Sequence, residues 1–337
     1  MARKTNKKMS SKKPVKNRKL IITLSIIGLL IVGLVGGVAT YGLTMLGKIN
    51  KVDLNEDNLG IDKDIDAKLS KYDGITNIAL FGIDATDGNA GRSDAIMIAT
   101  VDKVHNKLKL TSIMRDSYVD IQGHGQDKIN HAYAFGGHEL ALKTLNENFD
   151  LNLKDFATVN FSSLPKIIDS VGGIELNIRQ DEINASPGIN NHINHLNELN
   201  HSKSLLITKP GVQHVDGTQA LAYCRIRYTA GGDGERTERQ RIVLNKLFEK
   251  FAKVSPTKYP SILNELMPMI TTSLSSSDIL SLAKTVASMS GSGLEQERYP
   301  MDQYSKGEMI NGVYYLTFDK DTTVKQIHDY IFEDIKS

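Results

Sequence analysis

The chain of 337 residues is 40% apolar and 24% charged, the composition of a folded protein and not of a disordered one. Residues 1–19 carry nine Lys or Arg and no acid, which leaves 32 basic against 39 acidic residues and a net charge of −7 on the remainder. An acidic body argues against generic polyanion binding, and a single cysteine, Cys224, excludes an internal disulfide.

Residues 20–47 hold no charged side chain and are rich in Leu, Ile, Val and Gly. That exceeds the roughly 20 apolar residues a helix needs to span a bilayer. A secretory signal would have an apolar run of roughly 7–15 residues and a small-residue cleavage site, so an uncleaved anchor is the better reading. The basic residues ahead of it place the N-terminus in the cytoplasm and the body outside the cell membrane as a single-pass protein. They are read as a membrane flank and not as a nucleic-acid tail.

Residues 48–71 are polar and acidic and read as a stalk. From residue 72 to the end one domain is expected. Apolar or alternating runs predict strands at 77–84, 95–101 and 108–114, a helix at 138–149, and a strand at 156–161. A helix at 164–171, stopped by Gly172 and Gly173, leads to a strand at 174–178. This alternation argues an α/β layered domain. Residues 184–201, rich in Asn and His, read as a solvated loop. His192 and His195 have metal-like spacing, but a loop setting disfavours zinc. Asp216 can cap a helix running through Ala222, and Cys224 reads as a small buried residue. Helices follow at 237–254, 261–267 and 278–289, then a strand at 313–318 and a closing helix at 322–335.

Five of the nine arginines beyond residue 47 fall between Arg225 and Arg241. Arg225 and Arg227 alternate as on a strand, while Arg236, Arg239 and Gln240 share a helix face. Gly231, Gly232, Asp233 and Gly234 lie between, where a backbone can approach a ligand closely. Strand, glycine turn and helix start, studded with guanidinium groups, form a phosphate-binding pattern. Arg225, Arg227 and Arg236 are expected to face the ligand, and Arg239 and Arg241 to pair with the domain's own acids. Upstream, Asp84 and Asp94 flank a glycine-containing loop between two buried strands, a hard-oxygen pair suited to Mg²⁺. Arg115 and Asp116 end the third strand, followed by Lys128 to Tyr133. Ligands of open α/β sheets sit beyond strand ends, so these segments can share one crevice.

The chain resembles the LytR–CpsA–Psr family of cell-envelope enzymes over residues 75–250 at least. The matching segments are GID ending at Asp84, GRSD ending at Asp94, SIMRDSYV around Arg115, KINHAYAFGG from Lys128, VGGIEL from Val171, VDGTQALAYCRIRY and GDGERTERQR. Met114 and Cys224 depart from the usual pattern, and residues 184–201 look like a local insertion. The resemblance implies a three-layer α/β/α domain with a central mixed sheet behind one N-terminal transmembrane helix. It implies a transferase moving a glycopolymer (wall teichoic acid, capsule or another secondary wall polymer) from a polyprenyl-pyrophosphate carrier to peptidoglycan. Carried over by residue, Asp84 and Asp94 hold Mg²⁺ or another divalent cation. Arg92, Arg115, Arg225, Arg227, Arg236 and Gln240 bind the pyrophosphate. Asp233 matches an acidic position associated with activity, and Asp233 or Asp84 is the expected base, with Arg115, Arg225 and Arg227 stabilising developing charge. A pyrophosphate hydrolase and a non-catalytic lipid-carrier binding protein are the alternatives, with nucleic acid excluded as a partner.

Overall fold

Alternate residues of β2 (Ile75–Asp84) face opposite ways into two separate apolar cores. Ile78 and Leu80 enter one, Ala79 and Phe81 the other, which is why this strand reads as a continuous apolar run. The computed structural model describes residues 46–84, 91–160, 163–230, 232–251, 254–255, 258–289 and 294–336. Besides β2, the central sheet takes β1 (Asn50–Lys51), β3 (Arg92–Asp102), β4 (Lys107–Ile113), β7 (Asp155–Asn160), β10 (Ile270–Thr272) and β11 (Leu294–Tyr299). Their spatial order is β1-β10-β7-β2-β3-β4-β11. β2, β3 and β4 form an antiparallel meander, and β7 lies parallel to β2. The sheet is therefore mixed. The other strands form two-stranded ribbons: β5 (Tyr118–Ile121) with β6 (Gly125–Lys128), β8 (Ile174–Ile178) with β9 (Gly211–Val215), and β12 (Ser305–Ile310) with β13 (Val313–Phe318).

One face is covered by α1 (Lys63–Leu69), α2 (His131–Phe149) and α10 (Lys320–Phe332). The opposite face is covered by α3 (Leu164–Ser170), α5 (Ile189–Asn200), α6 (Gly217–Arg225), α7 (Gly232–Phe251) and α8 (Tyr259–Leu266). α4 (Gln180–Asn184) leads into α5, and α9 (Ser276–Ser288) packs at the β1 edge through Ile279 and Ala283. Helices flank a mixed sheet on both sides, as the α/β/α expectation required.

Several expected elements differ. Residues 184–201 are not a loop. α5 buries Ile189, Ile193 and Leu196 at i, i+4 and i+7, a helical stripe that the Asn and His between them obscure. The expected strand through Arg225 is the last turn of α6, and Ile226 just beyond it is extended, at φ −63° and ψ 126°. α2 starts at His131 instead of 138. It is interrupted at Gly136 and Gly137, whose non-helical backbone hid the first turn from a periodicity reading. The expected stalk is largely built into the domain: β1 pairs with β10, and Leu59 and Leu69 are buried in the α1–α2 core. Its apolar residues are spread singly among acids, so no window of sequence looks hydrophobic. The anchor reading at 20–47 lies outside the described residues except for Leu46 and Gly47, and Leu46 packs against Ile279 and Ala283.

α6 carries the fold towards the site. Asp216 caps it, accepting from the Gln219 backbone N–H at 2.8 Å, while the Gln219 side chain accepts from the Asp216 N–H at 2.9 Å. Gly217 lies so close to α3 that a Cβ would meet the Pro165 backbone at 2.1 Å. Every residue from Gly217 to Cys224 is buried, so only the C-terminal end, at Arg225, emerges towards solvent. Ile193 is fully buried where α5 packs on this core. Ile193→Ala is expected to destabilise the domain by about 2–5 kcal/mol, measured by urea unfolding. A loss within experimental error would mean that α5 does not pack as described.

Candidate active site

The register of the meander brings charged residues to one end of the sheet. Asp84 pairs with Arg92 across β2 and β3, and a register shift between Gly82 and Ile83 leaves Asp94 in the bulge. Ile96 pairs with Ile113, so the chain leaving β4 carries Arg115 back to Asp94. Arg115 Nη1 meets Asp94 Oδ1 at 2.8 Å, and Asn130 Nδ2 donates to the same oxygen at 3.2 Å. Asn130 is stitched in place by backbone bonds, its N–H to the Arg115 carbonyl and its carbonyl to the Ser93 N–H. The other Asp94 oxygen, Oδ2, stands 3.7 Å from Nη2 of buried Arg236 on α7. Asp94 thus joins the sheet end to the helical layer.

Beyond Asp94 opens a cavity of about 490 Å³, lined by Arg225, Arg227, Arg236, Gln240, Tyr228, Leu221 and Cys224, and by Pro187, Asn191, His192 and His195. Its size is in the range of small-molecule sites. Arg225 ends α6, Arg227 follows across buried Ile226, and Arg236 and Gln240 lie one turn apart on α7. A guanidinium at a helix C-terminus is favoured by the helix dipole.

A buried ion pair fixes the chain between α6 and α7. Arg239 Nε donates to Glu182 Oε1 at 2.8 Å, with both side chains buried. Its Nη1 donates to the Ile226 carbonyl at 2.9 Å, and its Nη2 donates to Thr229 Oγ1 at 2.6 Å and to Glu235 Oε2 at 2.7 Å. Tyr223 stacks beneath, 5.9 Å from the guanidinium carbon to its ring centre. The second Glu182 oxygen accepts from the Arg179 N–H at 2.8 Å, so the acid is satisfied as well.

Two further groups in the cavity titrate abnormally. Burial, then the cations Arg225 and Arg227 with His195, depresses His192 from 6.5 to about 4, and its Nε2 is buried without a hydrogen-bond partner among the described residues. Burial pushes the Cys224 thiol up to about 12, so it stays protonated and inert as a nucleophile.

The LytR_cpsA_psr family model matches residues 43–330. The chain is 34% identical over 251 residues to a polyisoprenyl-teichoic acid–peptidoglycan teichoic acid transferase TagU of Enterococcus faecalis, covering 72% of this chain and 75% of that protein. The TagU of Bacillus cereus is 30% identical over 279 residues, 80% of this chain and 84% of its own. This chain belongs to the LytR–CpsA–Psr family. A solved structure of TagT bound to LIIa-WTA superposes with a TM-score of 0.57 at 26% identity, covering 78% of this chain and 91% of TagT.

Of the residues singled out from the family's motifs, Asp94, Arg225, Arg227, Arg236 and Gln240 line one cavity, and Arg115 reaches it through Asp94. Arg92, at the start of β3, is exposed and does not line the cavity. Asp84 closes β2 and Asp233 lies in the first turn of α7, while their side chains, like that of Arg241, fall outside the described residues. The expected division of the arginines holds for Arg239, which pairs with Glu182 and Glu235. The segment from Lys128 to Tyr133, expected to share the crevice, does so through Asn130, whereas pattern reading missed Asn191 and took His192 and His195 for loop residues. The histidine spacing was the available signal.

Removing the guanidinium from Arg239 while Glu182 stays buried strands a charge. Arg239→Met is therefore expected to cost about 3–5 kcal/mol, and Glu182→Gln combined with it to recover part of that loss in denaturant unfolding. His192 gives a prediction in pH. Its folded value lies below the unfolded 6.5, so the unfolded chain binds more protons between about pH 4 and 6.5. The stability it contributes is complete above pH 6.5 and is lost as pH falls towards 4. Arg225→Gln is expected to move the His192 titration back towards 6.5, followed by NMR of the imidazole. An unchanged midpoint would mean that Arg225 is not its neighbour.

Proposed function

We propose that this protein transfers a glycopolymer from a polyprenyl-pyrophosphate carrier to peptidoglycan on the outer face of the cell membrane. The observation that carries this reading is the convergence of Arg225, Arg227 and Arg236 on one cavity, with Asp94 at its inner wall. Guanidinium forks match paired phosphate oxygens, and the names of the TagU relatives supply the reaction class. The anchor proposed at residues 20–47 keeps the cavity close to a lipid-linked donor.

The acceptor hydroxyl attacks the phosphorus that carries the sugar. A new P–O bond forms, the bond to the polyprenyl phosphate breaks, and that phosphate leaves. The entering and leaving oxygens lie roughly in line in such a transfer. Arg225, Arg227, Arg236 and Arg115 stabilise the charge that builds on the phosphates, and Gln240 donates to a phosphate oxygen. The hydroxyl proton goes to Asp233 or Asp84.

The residues fit a divalent cation. Asp94 Oδ2 stands 3.7 Å from Arg236 Nη2, and its carboxylate lines the arginine cavity as a hard oxygen donor. Mg²⁺ is commonly bound by one or two carboxylates together with substrate phosphates. Asp94 with Asp84 would hold it, and it would neutralise phosphate charge.

Given a polyprenyl-pyrophosphate saccharide, Mg²⁺ and a peptidoglycan oligomer, the full chain in detergent is expected to form a covalent polymer–glycan product. Arg225→Ala and Arg227→Ala should each lower its formation by ~10²–10³-fold without shifting the melting temperature. Near-normal transfer by both variants would sink the site. Saccharide released to water would mark a hydrolase instead, and an unchanged donor a carrier-binding protein.

A further inference from the structure

A second connected cluster lies beside Asp94, outside the arginine cavity. Phe135 stacks on His124 with ring centres 4.1 Å apart and planes 11° from parallel, and meets the edge of His131 at 5.9 Å. His131 Nδ1 lies 2.8 Å from Asp127 Oδ2, and Tyr315 Oη donates to Asp127 Oδ1 at 3.3 Å. Lys128 Nζ sits 5.8 Å from the ring centres of both Tyr314 and Tyr315. Contact is therefore unbroken from His124 to Tyr314, across the β5–β6 ribbon, the first turns of α2 and β13.

Two rings of this strip are open to solvent, Phe135 at 44% and Tyr314 at 47% exposure. Single exposed apolar side chains are unremarkable, but these are supported from behind and joined by polar groups. Tyr314 lies over Gly307, where a Cβ would stand 2.7 Å from the ring, so glycine is what lets the ring lie flat. Phe135 is held flat against the ring of His124, which is itself exposed. The strip is tied to the reaction centre by charge. Lys128 Nζ meets Asp116 Oδ1 at 2.7 Å, Asp116 Oδ2 lies 3.5 Å from Arg115 Nε, and Arg115 holds Asp94.

We infer that this strip is the subsite for the acceptor glycan, a chain of N-acetylated amino sugars whose pyranose faces stack on Phe135 and Tyr314. Sugars present flat C–H faces flanked by hydroxyl and amide groups. Aromatic faces attract the first through dispersion and their quadrupole, and Asp127, His131 and Lys128 are placed to hydrogen-bond the second. The same interleaved charges make the strip a poor surface for a lipid tail. The inference rests on the transferase reading, which also assigns the strip to the acceptor and not to the donor. The donor's pyrophosphate belongs to the arginine cavity, none of whose lining residues is in the strip. In-line transfer brings the entering hydroxyl from the side opposite the leaving phosphate, and the strip connects through Arg115 to Asp94 Oδ1, whereas Arg236 meets the other oxygen, Oδ2.

The test uses the full chain in detergent, with a peptidoglycan-derived tetrasaccharide as the acceptor probe and polyprenyl pyrophosphate as the donor probe. Phe135→Ala and Tyr314→Ala are expected to weaken tetrasaccharide binding, read by saturation-transfer NMR, by roughly tenfold each. Donor affinity and melting temperature should stay at the wild-type values, and Phe135→Tyr and Tyr314→Phe should bind the sugar normally. In the transfer assay the alanine variants should raise KM for the acceptor and leave KM for the donor unchanged. Tetrasaccharide binding that is equal in wild type and both alanine variants, or undetectable in wild type, overturns the inference. Wild type that binds the sugar through these rings yet transfers nothing upholds the subsite and overturns the transferase reading.

Discussion

The contact on which the site depends is the buried pair Arg239–Glu182. A guanidinium taken out of water costs several kcal/mol, and this one is retained because its donors are met by a carboxylate, a backbone carbonyl, a hydroxyl and a second acid. The carbonyl belongs to Ile226, the residue between Arg225 and Arg227. Fixing that peptide fixes both arginines, since they leave it on the side away from the core that buries Ile226. One arginine is thereby spent on scaffolding so that others can point at a ligand. A lysine, with a single nitrogen, could not span four acceptors in this geometry.

The same economy governs the sheet end. Arg115, Arg236, Arg225 and Arg227 repel one another in a partly desolvated site, and Asp94 lies against the first two. Its carboxylate holds Arg115 where the bulge in β3 puts it, so the cations are oriented before a ligand arrives. Pre-orientation of this kind lets an electrostatic site act without reorganising during the reaction. The bulge matters because it frees one residue from the β2–β3 pairing at the end of the sheet.

How far this was legible in the sequence follows from the range of the interactions involved. β2, β3 and β4 are long and buried, so their apolar runs stand out, and the arginine cluster is contiguous in the chain. The DGTQ start of α6 carries its own signals, a cap and a return cap three residues apart. Short strands such as β1 at the sheet edge and its neighbour β10 gave no signal, because a run of two or three residues has no period. Glu182 was not readable as the partner of Arg239, which lies 57 residues away in sequence. The alternation of Arg225 and Arg227 was read correctly and its cause was not: one extended residue at a helix end produces the same alternation as a strand. α5 failed for a third reason. Its core stripe is only three residues long, and the surface around it is mostly polar, part of it lining the cavity.

That polar face also explains how neutral groups come to line a cationic cavity. In the cavity the guanidinium groups outnumber the carboxylates described, which disfavours a further positive charge on His192. His192 is the case in point, depressed to about 4 by burial and by Arg225 and Arg227. A protonated imidazole there would add repulsion without adding a fixed fork for phosphate, whereas a neutral one gives a polar wall at no electrostatic cost. Cys224 is kept neutral in the opposite sense, by burial strong enough to outweigh the nearby arginines. The demand for negative charge therefore stays concentrated on the arginines, and an anion entering the cavity meets no competing titratable acid on the α5 wall. The sheet end supplies that acid at Asp94, where oxygen can be shared with a cation as well as with Arg115.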